Sequence, residues 1–167
     1  NYTLMFYGMA TLDPFSGAVV PQMATGWDVS EDGLTYTFHL RDDIMWSDGT
    51  QLTANDVAFT FDAINTDSVA SPRRSNFEKV DSWTAVDDFT LELNLTSVDC
   101  TVVSSLGVQG IIPAHMYDGD PENIPENPEN SAPTVVSGPF SFVEHVADDH
   151  VTLAATESFY GFRLQPM

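Results

Sequence analysis

Antiparallel β-hairpins packed with short helices, an α+β fold, are what this sequence predicts, on three observations. Leu34, Tyr36, Phe38 and Leu40 alternate strictly with Thr35, Thr37, His39 and Arg41. Phe89, Leu91, Leu93 and Leu95 alternate in the same way with Thr90, Glu92, Asn94 and Thr96. Period two marks strands with one buried face. Between these runs, Val57, Phe61 and Ile64 stand at i, i+4 and i+7, with Ala54 and Ala58 on the same side, the spacing of an amphipathic helix.

The elements follow in order. Residues 1–22 mix apolar and turn signals, with bends at Leu12-Asp13-Pro14 and Ser16-Gly17. Trp27 and Val29 lead to the turn Ser30-Glu31-Asp32-Gly33, which makes residues 27–41 a hairpin. Ser47-Asp48-Gly49-Thr50 reads as a tight turn, with Gly49 free to take positive φ and Asp48 bonding its own backbone. Thr53 is an N-cap and Asp56 falls at N3, a capping-box spacing with Asp in the usual Glu place. Both acids are expected to be solvated. Residues 65–77 read as loop. Val80, Trp83 and Val86 lead to a turn at Asp87-Asp88 and a second hairpin. Residues 98–108 suggest a short helix broken by glycine, and 114–117 another. Residues 118–134 are acidic and rich in Pro and Asn, as in a long surface loop. Phe140 and Phe142, a turn at Ala147-Asp148-Asp149, and Val151 and Leu153 form a third hairpin. Trp27 and Trp46 are expected in the core.

Composition narrows the function. The chain has 167 residues, 43% hydrophobic, enough to fold around a core. It lacks an apolar run of the roughly 20 residues that a membrane-spanning helix needs. Its 25 acids against 5 bases give a net charge of −20, a surface that repels nucleic acid and anionic lipid. Such a lysine-poor acidic surface suits high salt, where the Debye length shrinks to about 3 Å. The chain opens on Asn1 without an initiator Met, as expected of a processed or excised piece. The single Cys100 allows no disulfide within the chain; beside Val102 and Val103 it is expected to be a buried small hydrophobe.

Reaction chemistry finds little support. No G-x-S-x-G, H-E-x-x-H, P-loop or G-x-G-x-x-G run occurs. A calcium loop ending at Gly49 fails because the alternate positions, Ile44 and Trp46, carry no oxygen ligand. His39, His115, His145 and His150 have no metal-ligand spacing. The expectation is no enzyme, no cofactor, no metal site and no catalytic residue. The sequon Asn94-Leu95-Thr96 falls on a strand.

The order of the turns and caps is more informative. ATGWDVSEDGLTYTFHLR over residues 24–41 runs into WSDGT over 46–50 and LTANDV over 52–57. This closely resembles the signature of family 5 extracellular solute-binding proteins, the dipeptide, oligopeptide and nickel receptors of ABC importers. The signature positions, structural in role, are Trp27, Asp32, Gly33, Arg41, Trp46, Asp48, Gly49, Thr53 and Asp56. DDFTLEL at 87–93, IIPAHMY at 111–117, SGPFSF at 137–142 and FYG at 159–161 resemble further family stretches in the same order.

The resemblance implies part of the first lobe of a two-lobe periplasmic-binding-protein-like fold (type II, cluster C-like). Residues 1–134 would be mostly the Ib-type subdomain, with a leading segment 1–22. Residues 135–167 would form a hairpin of the Ia part, the second lobe lying outside the chain. It implies capture of a small solute, in the first place a peptide, and delivery to an ABC permease. A nickel complex or oligosaccharide remains an alternative ligand. A purely structural lobe and a regulator's sensor module remain alternative roles. The implied location is the extracellular membrane face or periplasm, lipid-anchored in the full-length protein. Relatives place a ligand-side residue after a Ser-Pro pair, which makes Ser71 and Arg73 candidates. Arg73 stands where an aromatic is common, and an arginine there favours a carboxylate. The loop at Ser137 and Gly138 borders the family's cleft.

Overall fold

The computed structural model describes residues 2–146, 149–156 and 159. A short helix α1 (Tyr2–Met5) leads to a small hairpin, β1 (Ala10–Leu12) and β2 (Val19–Pro21). The two main hairpins are β3 (Ala24–Val29) with β4 (Thr35–Leu40), and β5 (Val80–Asp87) with β6 (Thr90–Leu95). Between them lies α2 (Ala54–Asn65), and the last pair is β7 (Phe140–Val146) and β8 (His150–Ala155). The hairpins and the helix stand where the spacing predicts them. Ala147 and Asp148 of the predicted third turn lie outside the described residues, as do Tyr160 and Gly161.

The two alternating runs meet. β4 and β6 pair antiparallel with Phe38 opposite Leu91 and Tyr36 opposite Leu93, giving a four-stranded sheet in the order β3-β4-β6-β5. Their inward side chains, Phe38, Leu91 and Leu93, are fully buried. Burial of three such side chains contributes roughly 1.5–3 kcal/mol each. The turns use the residues read for them. Asp32 Oδ1 accepts from the Leu34 N–H at 3.1 Å and from the Ser30 hydroxyl at 2.6 Å. Gly33 and Gly49 both have positive φ, +73° and +89°, a region that costs a Cβ-bearing residue.

Helix α2 is buried on two faces, where its spacing predicts one. Val57, Phe61 and Ile64 face the sheet, and Phe61 makes edge contacts with Phe77 and Trp83 at 5.1 and 6.0 Å between ring centroids. On the other side Phe59 and Ala63 form a second cluster with Tyr117 and Ile124. The predicted loop at 118–134 supplies that cover. It is built from two 3-10 turns, Pro121–Asn123 and Pro128–Asn130. Asp120 and Asn127 cap them by accepting from the Glu122 and Glu129 N–H groups. Capped turns present Ile124 inward, which a solvated loop would not do.

Two further expectations are corrected. Cys100 is exposed. It sits in a surface turn after Asp99, and the chain points inward only beyond it, through Val102, Val103 and Leu106. Asp56 is buried at 5% exposure, not solvated, because residues 111–117 fold over the start of α2. Trp46 is fully buried as expected, and Trp27 is partly buried against the same core.

Candidate functional site

A concavity of about 350 Å³ opens beside the C-terminal half of α2. Thr60, Ala63 and Ile64 of the helix form its floor. One rim is Val69 and the run Ser71, Pro72 and Arg73; the opposite rim is Val108, Gln109 and Gly110. Phe6, Ile112, Ile124 and Asn130 complete it. Its size falls in the usual range of small-molecule sites, about 300–1,000 Å³, and its walls are mostly apolar with a few polar groups, as such sites require.

Local chemistry shapes each rim. Ala70 adopts the left-handed region, φ +48°, which turns the chain before Ser71. Ser71 Oγ then accepts from the Arg73 N–H at 3.3 Å, a serine turn that holds the arginine at the edge. The facing rim is pinned by the N-terminal segment. The Ile111 N–H donates to Tyr7 O at 2.9 Å. A Cβ on Gly8 would lie 2.7 Å from Gly107 O and 2.8 Å from Gln109 O, so only glycine permits this approach. Gln109 is fixed in turn: its Nε2 donates to Gly110 O at 3.3 Å, and its Oε1 accepts from the Arg73 guanidinium at 2.7 Å.

Of the sequence candidates, Ser71 and Arg73 line the concavity. Ser137 and Gly138 lie elsewhere. Ser137 is buried, its Oγ accepts from the Tyr7 N–H at 3.2 Å, and the Ser137 and Gly138 N–H groups both donate to Met5 O. A Cβ on Gly138 would collide with Leu4 O and fall 2.8 Å from the Met5 carbonyl carbon. The pair ties β7 to the N-terminal segment. Gln109, Val69 and Ile124 carry no mark in the sequence, because nothing local singles out residues that meet only across the fold.

Three of the signature residues, Trp46, Thr53 and Asp56, meet at the start of α2. Asp56 Oδ2 accepts from the Thr53 N–H at 2.9 Å and from Trp46 Nε1 at 3.4 Å, and its Oδ1 accepts from the Ala114 N–H at 2.9 Å. Asp48 accepts from the Thr50 N–H at 2.9 Å and pairs with His115 Nε2 at 2.8 Å. Partial burial pushes the Asp48 carboxyl up, but the Thr50 and His115 hydrogen bonds outweigh it and hold it below its usual range. Arg41 chelates Asp43 through two bonds, at 2.8 and 2.7 Å. At Asp99, hydrogen bonds from the Thr101 hydroxyl and N–H, then from Lys79, lower the carboxyl to about 2. Among the described residues, no group of three or more His, Cys, Asp or Glu side chains is placed to hold a metal ion.

Residues 18–165 match the profile of the bacterial extracellular solute-binding proteins, family 5 Middle. The chain is 30% identical over 148 residues to an ABC transporter peptide-binding protein of Brucella ovis, covering 88% of this chain and 28% of that protein. It is 29% identical over 171 residues to the dipeptide-binding protein of Escherichia coli, covering 88% and 31%. It also resembles the crystal structure of NikZ from Campylobacter jejuni in complex with Ni(L-His). There the TM-score is 0.83 at 28% identity, over 95% of this chain and 31% of that one. The chain thus spans about three tenths of the relatives that it matches.

Proposed function

Because the chain belongs to the bacterial extracellular solute-binding proteins, family 5, we propose that it is part of the first lobe of a receptor that captures a peptide outside the cell and delivers it to an ABC permease. Such a receptor performs no reaction; it binds, closes and releases. The observation that carries this reading is the concavity beside α2, with its apolar floor and polar rims. Ser71 and Arg73 form its ligand side, and Ser137 and Gly138 hold β7 to the N-terminal segment beside it. The concavity is open on one side, and affinity needs most of the ligand's surface enclosed. A second lobe supplies the missing wall, as in other hinged receptors. The domain boundary falls at 134/135, between the Ib-type subdomain and the Ia hairpin. A lipid anchor keeps the full-length protein at the membrane.

The similar proteins bind different things: the relative in Escherichia coli is named for dipeptides, and NikZ was solved with Ni(L-His). The peptide reading suits the apolar walls. Isothermal titration of the full-length protein that contains this chain, with di- and tripeptides and with Ni(L-His), tests it. Micromolar or tighter peptide binding is the expected result. Binding of Ni(L-His) alone would overturn it.

A further inference from the structure

Residues 1–27 differ from the rest of the chain in charge. They hold one of the 25 acids, Asp13, and none of the 5 bases. The β1–β2 hairpin of this segment exposes two apolar side chains, Leu12 at the end of β1 and Phe15 in the turn. Phe15 is 97% exposed, more than any other large hydrophobic side chain among the described residues. The neighbouring elements are of the same kind. β1 packs on the turn Val103–Gly107 and α1 packs on β7. Residues 100–117 and 130–143 contain no Asp or Glu, and Leu4, Phe140 and Val143 are exposed. A surface that loses its charges and gains aromatic side chains has the composition of a protein interface core.

The hairpin holds Phe15 in a fixed turn. Asp13 Oδ1 accepts from the Phe15 N–H at 3.1 Å, from the Ser16 N–H at 2.7 Å and from the Ser16 hydroxyl at 2.8 Å. The Asp13 N–H donates to Ala18 O, and the Gly17 N–H donates to Asp13 O, both at 2.8 Å. Gly17 closes the turn at φ +70°, a region open to glycine without penalty. The one acid of the segment is thus engaged with the backbone beneath the aromatic ring's own residue. A side chain presented on a pre-ordered turn costs less entropy to dock than one on a loose loop.

Charge selects the occupant. A second copy of the chain and an anionic lipid surface both repel a body of net charge −20. Membrane proteins concentrate Lys and Arg in their cytoplasmic loops, so the outer face of a permease offers little basic charge to attract acids. Carboxylates buried there without partners would be costly. The acid-poor hairpin is the part of this surface that escapes that cost. We propose that the β1–β2 hairpin, with Phe15 as its anchor in an apolar socket, docks on the extracellular face of the permease. This deepens the solute-delivery reading above and rests on it.

The experiment measures binding of the full-length protein that contains this chain to its importer's permease in nanodiscs of neutral lipid. Phe15→Asp places an acid at the anchor. Val86→Asp, at an exposed apolar position beside Asp87 and Asp88 on the far hairpin, is the control. Phe15→Asp should weaken permease binding by about tenfold or more, the scale of a lost interface aromatic, and Val86→Asp should not. Both variants should keep the parent's melting temperature and its affinity for peptide. Permease binding unchanged in Phe15→Asp overturns the inference and leaves the solute-binding reading standing. Three other results overturn it in the same way by naming a different occupant. A melting temperature lowered by Phe15→Asp assigns the socket to another part of the full-length chain. Equal binding to nanodiscs without permease assigns it to lipid. A wild-type dimer that Phe15→Asp dissociates assigns it to a second copy. A wild type that binds no permease overturns the delivery reading as well.

Discussion

The carboxylate of Asp56 lies 2.9 Å from the backbone nitrogen of Ala114, across 58 residues of sequence. This bond joins the start of α2 to the 3-10 turn Ala114–Tyr117. Thr60 Oγ1 adds a parallel tie by accepting from the Ile112 N–H at 3.0 Å while donating to Asp56 O. The helix cap is therefore also the clasp that draws residues 111–117 against the helix, and Ile112 in that clasp lines the concavity.

Asp56→Asn should be costly for that reason. The buried carboxylate accepts from three donors, and an amide would turn one of its two ends into a donor facing an N–H. An unsatisfied buried donor costs about 1–3 kcal/mol. Urea unfolding should show a loss of about 2 kcal/mol or more, with an unchanged slope. A variant as stable as the parent would remove Asp56 from the clasp.

Asp62 should behave in the opposite sense. Burial raises its carboxyl above the usual range, with the Trp83 indole N–H donating to it at 2.9 Å in partial compensation. A raised folded pKa means that the charged form destabilises the fold, by an amount absent in acid and growing as pH rises through the carboxylate range. Asp62→Asn keeps an acceptor for Trp83 and should raise the melting temperature at pH 7. The gain should vanish toward pH 3. A matched change at the exposed Asp42 controls for net charge; equal stabilisation by the two would refute the assignment.

The strap at Gly138 gives a steric test. A methyl group there would collide with Leu4 O, so Gly138→Ala must displace backbone. The expected cost is about 1–3 kcal/mol, typical of overpacking. Gly26→Ala, where a Cβ would meet nothing within 4 Å, should lie within about 0.5 kcal/mol of the parent, the usual scale for a surface change. Thermal denaturation of both variants checks the contrast.

Net charge predicts a salt response. With 25 acids and 5 bases, self-repulsion opposes the compact state, and screening relieves it. The melting temperature should rise by several degrees from 50 mM to 2 M KCl. A flat profile would mean that this acidity has no bearing on the stability of the fold.

The legible features are local in origin. The alternation at 34–41 and 89–96 specifies strands because side chains on a strand point to opposite faces, whatever surrounds it. Gly33 and Gly49 specify turns because only glycine enters positive φ without penalty. The ordered run from Trp27 to Asp56 suffices for the family resemblance. Ser71 and Arg73 can be picked out by that same resemblance.

What the tertiary structure decided is where distant segments meet. A cap residue on an isolated helix faces water, which is why the sequence suggests a solvated Asp56; residues 111–117 cover it. The apolar neighbours of Cys100 suggest an interior position, yet the turn at Asp99 directs it outward. The meeting of Arg73 with Gln109 depends on Gly8 letting the N-terminal segment press on the chain at Gly107 and Gln109. Local propensity acts over a few residues. Burial and charge neutralisation are set by contacts between segments tens of residues apart, so the chain's period names its strands and its family, and only its packing leaves one arginine facing an acid-free hollow.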